Sequence, residues 1–446
     1  MTILNNDIES NIPFSRPYIG TEEEEAVVAV LRSGWLTTGK ESLAFEQEFS
    51  HFLRGDAGGS GGEYPHCMAV NSATSGLHLA LEACGVQPGN LVLVPSLTFT
   101  ATAEVVRYLG AEVVFVDSIP GGYNIDPAAL ERTLERLAAG LPAYPPRASA
   151  ASNGAGFGPS GTAVAVMPVH YGGLPCDMAA ILSIAARYRL KVIEDAAHSF
   201  PAHTATGRWA GVCGDVGVFS FYATKTITTG EGGMVVTRDK SIAERVKIMR
   251  SHGIDRSVWS RYTDTKASWY YEVVEPGFKY NIPDILSALG RVQLRRAMAL
   301  LEMRLQIAQR YDKAFTPHTN RDIPVRDIRV RDIRVGGNHF ILPPTAQGDA
   351  RHLYPLRLAR ETLSITRNEF AAKLQERGIG ISVHFIPLHT MPYYKKRYAL
   401  EDGDFPNALE TYSRSISLPL WPGMTDTHIE RVITAVKDIA CKYAQM

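Results

Sequence analysis

Long apolar runs are missing from this chain. Nowhere do about eighteen apolar residues follow one another, so a membrane-spanning helix is not expected. The N-terminus, MTILNNDIESNIPFSRPYIG, has no basic region followed by an apolar core, so a secretion signal is not expected either. Charge of one sign is also lacking: Lys+Arg and Asp+Glu both number 46. A formal net charge of zero provides no field to hold nucleic acid or an anionic membrane, and an anionic ligand has to be met by local groups. Cysteine is scarce. The five residues Cys67, Cys84, Cys176, Cys213 and Cys441 form no C-x-x-C pair, which argues against a disulfide framework and makes buried free thiols in a cytoplasmic protein the expectation. What is present, 446 residues with 45% apolar and 21% charged, suits a soluble globular chain of two or three domains.

From the N-terminus, Thr21 is the expected cap of an acidic helix whose positions Ala26, Val27, Val30 and Leu31 follow helical spacing, with Gly34 ending it. Trp35-Leu36-Thr37-Thr38-Gly39 then forms a turn. His66 to Leu81 reads as a short strand, a small-residue turn (Asn71-Ser72-Ala73-Thr74-Ser75-Gly76) and a helix. That order makes an anion site, because the first N–H groups of a helix lack internal partners. Further strand and helix units, LVLVPSLTFTATAEVVRYLG, AEVVFVD, Ala163 to Pro168, Met178 to Arg189 and Leu190 to Asp195, predict an α/β fold with a largely parallel sheet. Residues 1–285 are expected to form this large domain, with a Gly/Ala/Ser/Pro-rich surface insertion at about 145–161.

Residues 286–446 are expected to form a smaller α+β domain. A helix continues, with interruptions, to about Ala314, strand-like runs cover Tyr354 to Leu358 and Ile379 to Phe385, and helices cover Arg367 to Arg377 and Thr427 to Tyr443. Arg321 to Val335 repeats a unit (RDIPV, RDIRV, RDIRV) too short for a solenoid, which reads as a local duplication. His384 and His389 stand five apart without a third ligand of usual spacing, so no metal site is expected.

The chemistry concentrates in VGVFSFYATKTITTGEGGMVVT, Val216 to Thr237. A buried strand breaks at Ala223-Thr224 and presents Lys225, and a desolvated lysine has the neutral amine needed to form a Schiff base with an aldehyde. Taken singly, a lysine in a glycine-rich loop is more often a solvated surface charge. Asp195, however, closes another strand at the edge where open α/β sheets bind ligands. Together with the Ser/Thr helix start, these residues suggest one ligand with an aldehyde, a basic ring nitrogen and a phosphate. Pyridoxal phosphate has these handles: Lys225 for the aldehyde, Asp195 for the pyridine nitrogen, and Thr74, Ser75 and Ser220 for the phosphate.

Across nearly its whole length, through RPYIGTEEEEAV, SGWLTTG, NSATSGLHLAL, PVHYGG, VIEDAAHSF, the Lys225 stretch, GFKYNIPDILSALGRVQL and VHFIPLHTMPYY, the sequence resembles the DegT/DnrJ/EryC1/StrS sugar aminotransferases. Those enzymes have the aspartate-aminotransferase fold (fold type I) and use pyridoxal phosphate, which passes through pyridoxamine phosphate in turnover. The resemblance implies that Lys225 is the Schiff-base lysine and Asp195 the pyridinium partner. It further implies Phe99 and Ala197 on the two ring faces, His198 at the ring hydroxyl, and a homodimer in which Asn281 reaches the neighbour's cofactor phosphate. The plainer reading of Asn281 is a cap for the following helix. Tyr18, Trp35, Thr37, Thr38, Glu231, His384, His389 and Tyr393 are the implied substrate contacts. The loop Thr228-Thr229-Gly230-Glu231-Gly232-Gly233 resembles that of enzymes aminating carbon 4 of a nucleotide-linked 4-keto-6-deoxy sugar, with glutamate as donor. A keto-cyclitol or aminoglycoside precursor is the alternative substrate, and a regulatory protein that binds the cofactor without turnover is the alternative class.

Overall fold

In the computed structural model, which describes residues 11–54, 65–145, 157–255, 270–316, 339–359 and 361–445, seven strands form one sheet. They are β1 (His66–Val70), β2 (Leu91–Pro95), β3 (Glu112–Val116), β4 (Ala163–Val166), β5 (Lys191–Asp195), β6 (Val216–Ser220) and β7 (Gly233–Thr237), in the order β1-β7-β6-β5-β4-β2-β3. Only β7 runs against its neighbours, so the sheet is mainly parallel and six strands end at a common edge.

Side chains alternate across the pleat and divide the interior in two. Met68 and Val70 of β1 and Val216 and Val218 of β6 point into one core with Leu77 and Leu81. Cys67, Ala69 and Phe219 point into the other, where Phe45 and Phe49 of the helix Lys40–Arg54 meet Phe200 and Phe221. The helix Asp284–Arg295 packs over that side. Its first residue, Asp284, is buried and accepts N–H bonds from Gly39 (2.7 Å) and Ser42 (3.0 Å), so it caps the Lys40 helix from far along the chain. This is a tertiary cap that local sequence cannot reveal.

A second sheet, antiparallel, joins β8 (Phe340–Ile341), β9 (Tyr354–Leu358) and β10 (Ser415–Leu418). It shares a core with the long helices Ala297–Phe315 and Asp426–Lys442 and with Ile12 from the other end of the chain. The chain also returns: Leu388, Tyr394, Tyr398 and Phe405 belong to the large-sheet core.

Three local expectations change. The first helix starts at Thr21 but is capped by Gly20, whose N–H donates to Glu23 (2.8 Å), and Leu31 is exposed on it. No strand forms over Ile379 to Phe385; Ile379 and Ser382 make single bridges to Ile12 and Ser417, because Ser382, His384 and Phe385 turn toward a cavity instead of pairing. Asn281 caps no helix, since the next one begins at Asp284 with Pro283 at its cap position. The tandem repeat at 321–335 lies outside the described residues, as do residues 146–156 of the expected insertion.

Candidate active site

Where the parallel strands end, the chain turns away and leaves its helix starts and strand-end side chains around a cavity of about 550 Å³. Ser72, Ala73 and Thr74 reach it after β1, Thr98 and Phe99 after β2, Asp195, Ala197 and His198 at the end of β5, and Ser220 and Lys225 at and after β6. Thr74, Phe99, Asp195, Ala197, His198, Ser220, Lys225, Glu231 and His384 of the sequence-derived set therefore share one space.

Lys225 is half-buried where it meets the cavity. Burial pushes its ammonium down to about 8, an effect that the nearby Asp195 carboxylate opposes. Asp195 itself is buried, with Oδ2 accepting from the Thr102 hydroxyl (2.8 Å) and Oδ1 from the Ala197 N–H (3.2 Å). Burial moves this carboxyl upward, and those two bonds together with Lys225 offset the shift only in part. The neighbouring Glu194 faces the opposite side of the sheet. It is tied by His170 (2.9 Å) and the N–H groups of Gly211, Cys213 and Gly214, so it is structural.

His198 accepts the Gly172 N–H at Nδ1 (3.2 Å). Burial, then the positive charge of Lys225, holds it well below the usual histidine range, so the ring is neutral and carries its proton on Nε2. Phe385 stacks beside it, with ring centroids 5.7 Å apart, and lies 5.6 Å from the ring of Phe99. His384 is pushed down to about 4 by burial and Lys225, and its Nδ1 meets the Ser417 hydroxyl at 2.9 Å.

At the other end of the cavity stands the start of the helix Ala73–Ala83, capped by Ser72, whose hydroxyl accepts the Ser75 N–H (3.1 Å). Gly233 of β7 packs directly on this turn, since a Cβ on it would sit 2.8 Å from the Ala73 nitrogen. A helix start at the cavity wall, a buried carboxylate and a half-buried amine fit the phosphate, ring nitrogen and aldehyde of pyridoxal phosphate.

Other expected residues stand elsewhere. Ser75 is turned into its own turn, its hydroxyl 2.7 Å from both Asn71 Oδ1 and the Ser72 carbonyl, either of which can accept its one proton, and Ser72 lines the cavity in its place. His389 does not face a substrate: it is completely buried, with Nδ1 on Ser96 (2.5 Å) and Nε2 on the Asp402 carbonyl (2.9 Å). Tyr18 lies under the Arg296 guanidinium, and the Tyr393 hydroxyl accepts from Arg107 (3.3 Å); neither lines the cavity.

Trp35, Thr37 and Thr38 belong to the Asp284 region, where Trp35 donates to the Thr38 carbonyl (3.3 Å) and the Thr37 carbonyl accepts the Asp284 N–H (3.2 Å). Asn281 donates to Thr38 Oγ1 (2.5 Å), and both line a second cavity of about 680 Å³, separate from that of Lys225. Sequence reasoning missed Thr102, Phe385 and His352. Thr102 carried a signal as a hydroxyl in the first turn after β2, whereas His352 had none.

A mainly parallel sheet with these groups at its carboxyl edge is the architecture of fold-type I aminotransferases, and known proteins agree. The DegT/DnrJ/EryC1/StrS aminotransferase family matches residues 17–437. The spore coat polysaccharide biosynthesis protein SpsC of Bacillus subtilis is 40% identical over 432 residues, covering 96% of this chain and 97% of its own. Among solved structures, the PMP form of Spr1654 from Streptococcus pneumoniae superposes with a TM-score of 0.78 at 27% identity, covering 97% of this chain and 100% of that one. Helicobacter pylori PseC, an aminotransferase involved in the biosynthesis of pseudoaminic acid, gives 0.77 at 26% identity with the same coverage. The chain belongs to the DegT/DnrJ/EryC1/StrS aminotransferase family.

Proposed function

We propose that this protein transfers an amino group from glutamate to carbon 4 of a nucleotide-linked 4-keto-6-deoxy sugar, with pyridoxal phosphate as cofactor. One observation carries the reading: Lys225 with its lowered pKa, the buried Asp195 and the start of the Ala73 helix meet in a single cavity. The forms in which Spr1654 was solved, PMP and PLP, support the cofactor, and SpsC and PseC support a sugar substrate in polysaccharide or amino-sugar biosynthesis.

The cofactor would supply an electron sink and a temporary store for the amino group. Lys225 would hold its aldehyde and Asp195 its protonated ring nitrogen, Phe99 and Ala197 would flank the ring, and Ser72, Thr74 and Ser220 would hold the phosphate with the helix N–H groups. Once free, Lys225 Nζ is the base that takes the proton from the donor carbon and the acid that delivers one to the sugar carbon. A group titrating near neutrality does both efficiently. His198, with its proton on Nε2, would donate to the ring hydroxyl. Glu231 and His384 complete the sugar side from within the chain, and a second copy contributes Asn281 across a homodimer.

A screen of purified protein with glutamate against several 4-keto nucleotide sugars, read by mass, tests the reading. Conversion of a 4-keto sugar to its amine is expected; conversion of a cyclitol ketone alone would overturn the substrate class.

A further inference from the structure

We infer that Thr102 is a positioning residue: its hydroxyl, itself aligned by Thr98, holds the Asp195 carboxylate ionised and in place for the pyridine nitrogen; this rests on the cofactor reading above and is independent of the sugar. Thr102 is the second residue of the helix Ala101–Tyr108, which follows β2, and Asp195 closes β5. A threonine in a helix ordinarily returns its proton to the carbonyl four residues earlier or gives it to water. Thr102 is completely buried and reaches across the fold instead, donating to Asp195 Oδ2 at 2.8 Å from 93 residues away in the chain.

Donors and acceptors fix the direction of the relay. An ionised carboxylate only accepts, so the Thr102 proton goes to Asp195, and in the 2.7 Å contact between the two threonine hydroxyls Thr98 is the donor. Thr98 is completely buried as well. Two dry hydroxyls carry a burial cost that valines of the same shape would avoid, and the bond to Asp195 is what offsets it. The main chain of Asp195 is held on both sides: it pairs with Val218 of β6, its N–H donates to the Pro168 carbonyl (2.9 Å), and its carbonyl accepts the His170 N–H (3.2 Å). Among the described residues its side chain is fixed by Thr102 on one oxygen and the Ala197 N–H on the other. A carboxylate oxygen accepts two bonds, so each keeps one position for a ligand.

The same bond acts on the charge. Burial raises the Asp195 carboxyl; Thr102 opposes that most, followed by the Ala197 N–H, the ammonium of Lys225 beyond β6 and the imidazole of His170 beyond β4. His198, on the turn after Asp195, is neutral. Lys225 gives up its free ammonium when it holds an aldehyde, which leaves Thr102 and Ala197 as the constant support. Without the Thr102 hydroxyl the carboxyl moves further up, and the carboxylate is lost at a higher pH.

Calorimetry of pyridoxamine phosphate binding to cofactor-free protein reads this without turnover. Thr102→Val is expected to raise the Kd at neutral pH about tenfold, the size of one lost bond to a charged group, with most of the affinity returned in Thr102→Ser. On acidification the affinity should begin to fall at a higher pH in Thr102→Val than in wild type. Deazapyridoxamine phosphate, which has C–H in place of the ring nitrogen and makes no bond to Asp195, is expected to bind Thr102→Val within about twofold of wild type. Thr98→Val removes the aligning donor alone and should show the same selective loss, smaller in size; it carries the comparison where Thr102→Val does not fold. Equal weakening of both ligands would mean a merely structural role and overturn the inference, as would an unchanged Kd for pyridoxamine phosphate. Wild-type protein that binds no pyridoxamine phosphate would instead overturn the cofactor reading.

Discussion

Lys225 is half-buried beside the Asp195 carboxylate. Burial lowers its pKa to about 8, so the fraction of neutral amine in the cofactor-free protein rises through the physiological range and saturates above it. Capture of added pyridoxal phosphate, followed by stopped-flow absorbance, is expected to accelerate with pH up to about 8 and then level off. Acceleration continuing to the ordinary lysine range would show a solvated amine. At this scale the meeting of Lys225 and Asp195 in one cavity could be expected from sequence, because each follows or closes a buried strand at the same edge of the sheet. His389 could not: its burial against Ser96 and Asp402 depends on contacts from distant parts of the chain. Ser75 and Ser72 are both plausible phosphate ligands in a Ser/Thr turn, and only the capping geometry distinguishes them.

Strands and glycines set the site at the scale of elements. Gly217, in the middle of β6, faces the Gly211 turn so closely that a Cβ would lie 1.8 Å from the Gly211 carbonyl oxygen. That turn also supplies Glu194 with an N–H bond, so the contact fixes β5 against β6 just below Asp195 and Ser220. Gly217→Ala is expected to cost about 1–3 kcal/mol by overpacking. It should appear as a lower midpoint in thermal unfolding, and an unchanged midpoint would mean the turn yields freely. Buried strands such as β2, β5 and β6 were evident in the sequence from their short apolar runs, LVLV, VI and VGVF. The segment Ile379 to Phe385 has the same composition but spends its side chains on the cavity, a use that periodicity cannot distinguish from pairing. β10, with serines alternating in SISL, carries too weak an apolar signal to be read as a strand.

Three cores, two beside the large sheet and one beside the small, and the cavity that both sheets help to line organise the molecule as a whole. The Lys225 side comes from the large sheet, whereas Ser382, His384, Leu418 and Leu420 come from segments beside the small sheet. Asn281 lines a different cavity, caps no helix, and is bonded to Thr38 and Lys279 within its own chain. If each site combines Lys225 of one copy with Asn281 of the other, mixing inactive Lys225→Ala protein with an inactive Asn281→Trp protein should restore activity on subunit exchange, because hybrid dimers contain one site with both residues intact. Verified exchange without recovery would confine Asn281 to its own chain. The central claim, that Lys225 holds the cofactor, has a more direct test: reduction of the purified yellow protein with borohydride, followed by peptide mapping. The account predicts the reduced pyridoxyl adduct on Lys225 alone, and an adduct on Lys240, Lys247 or any other lysine would contradict it.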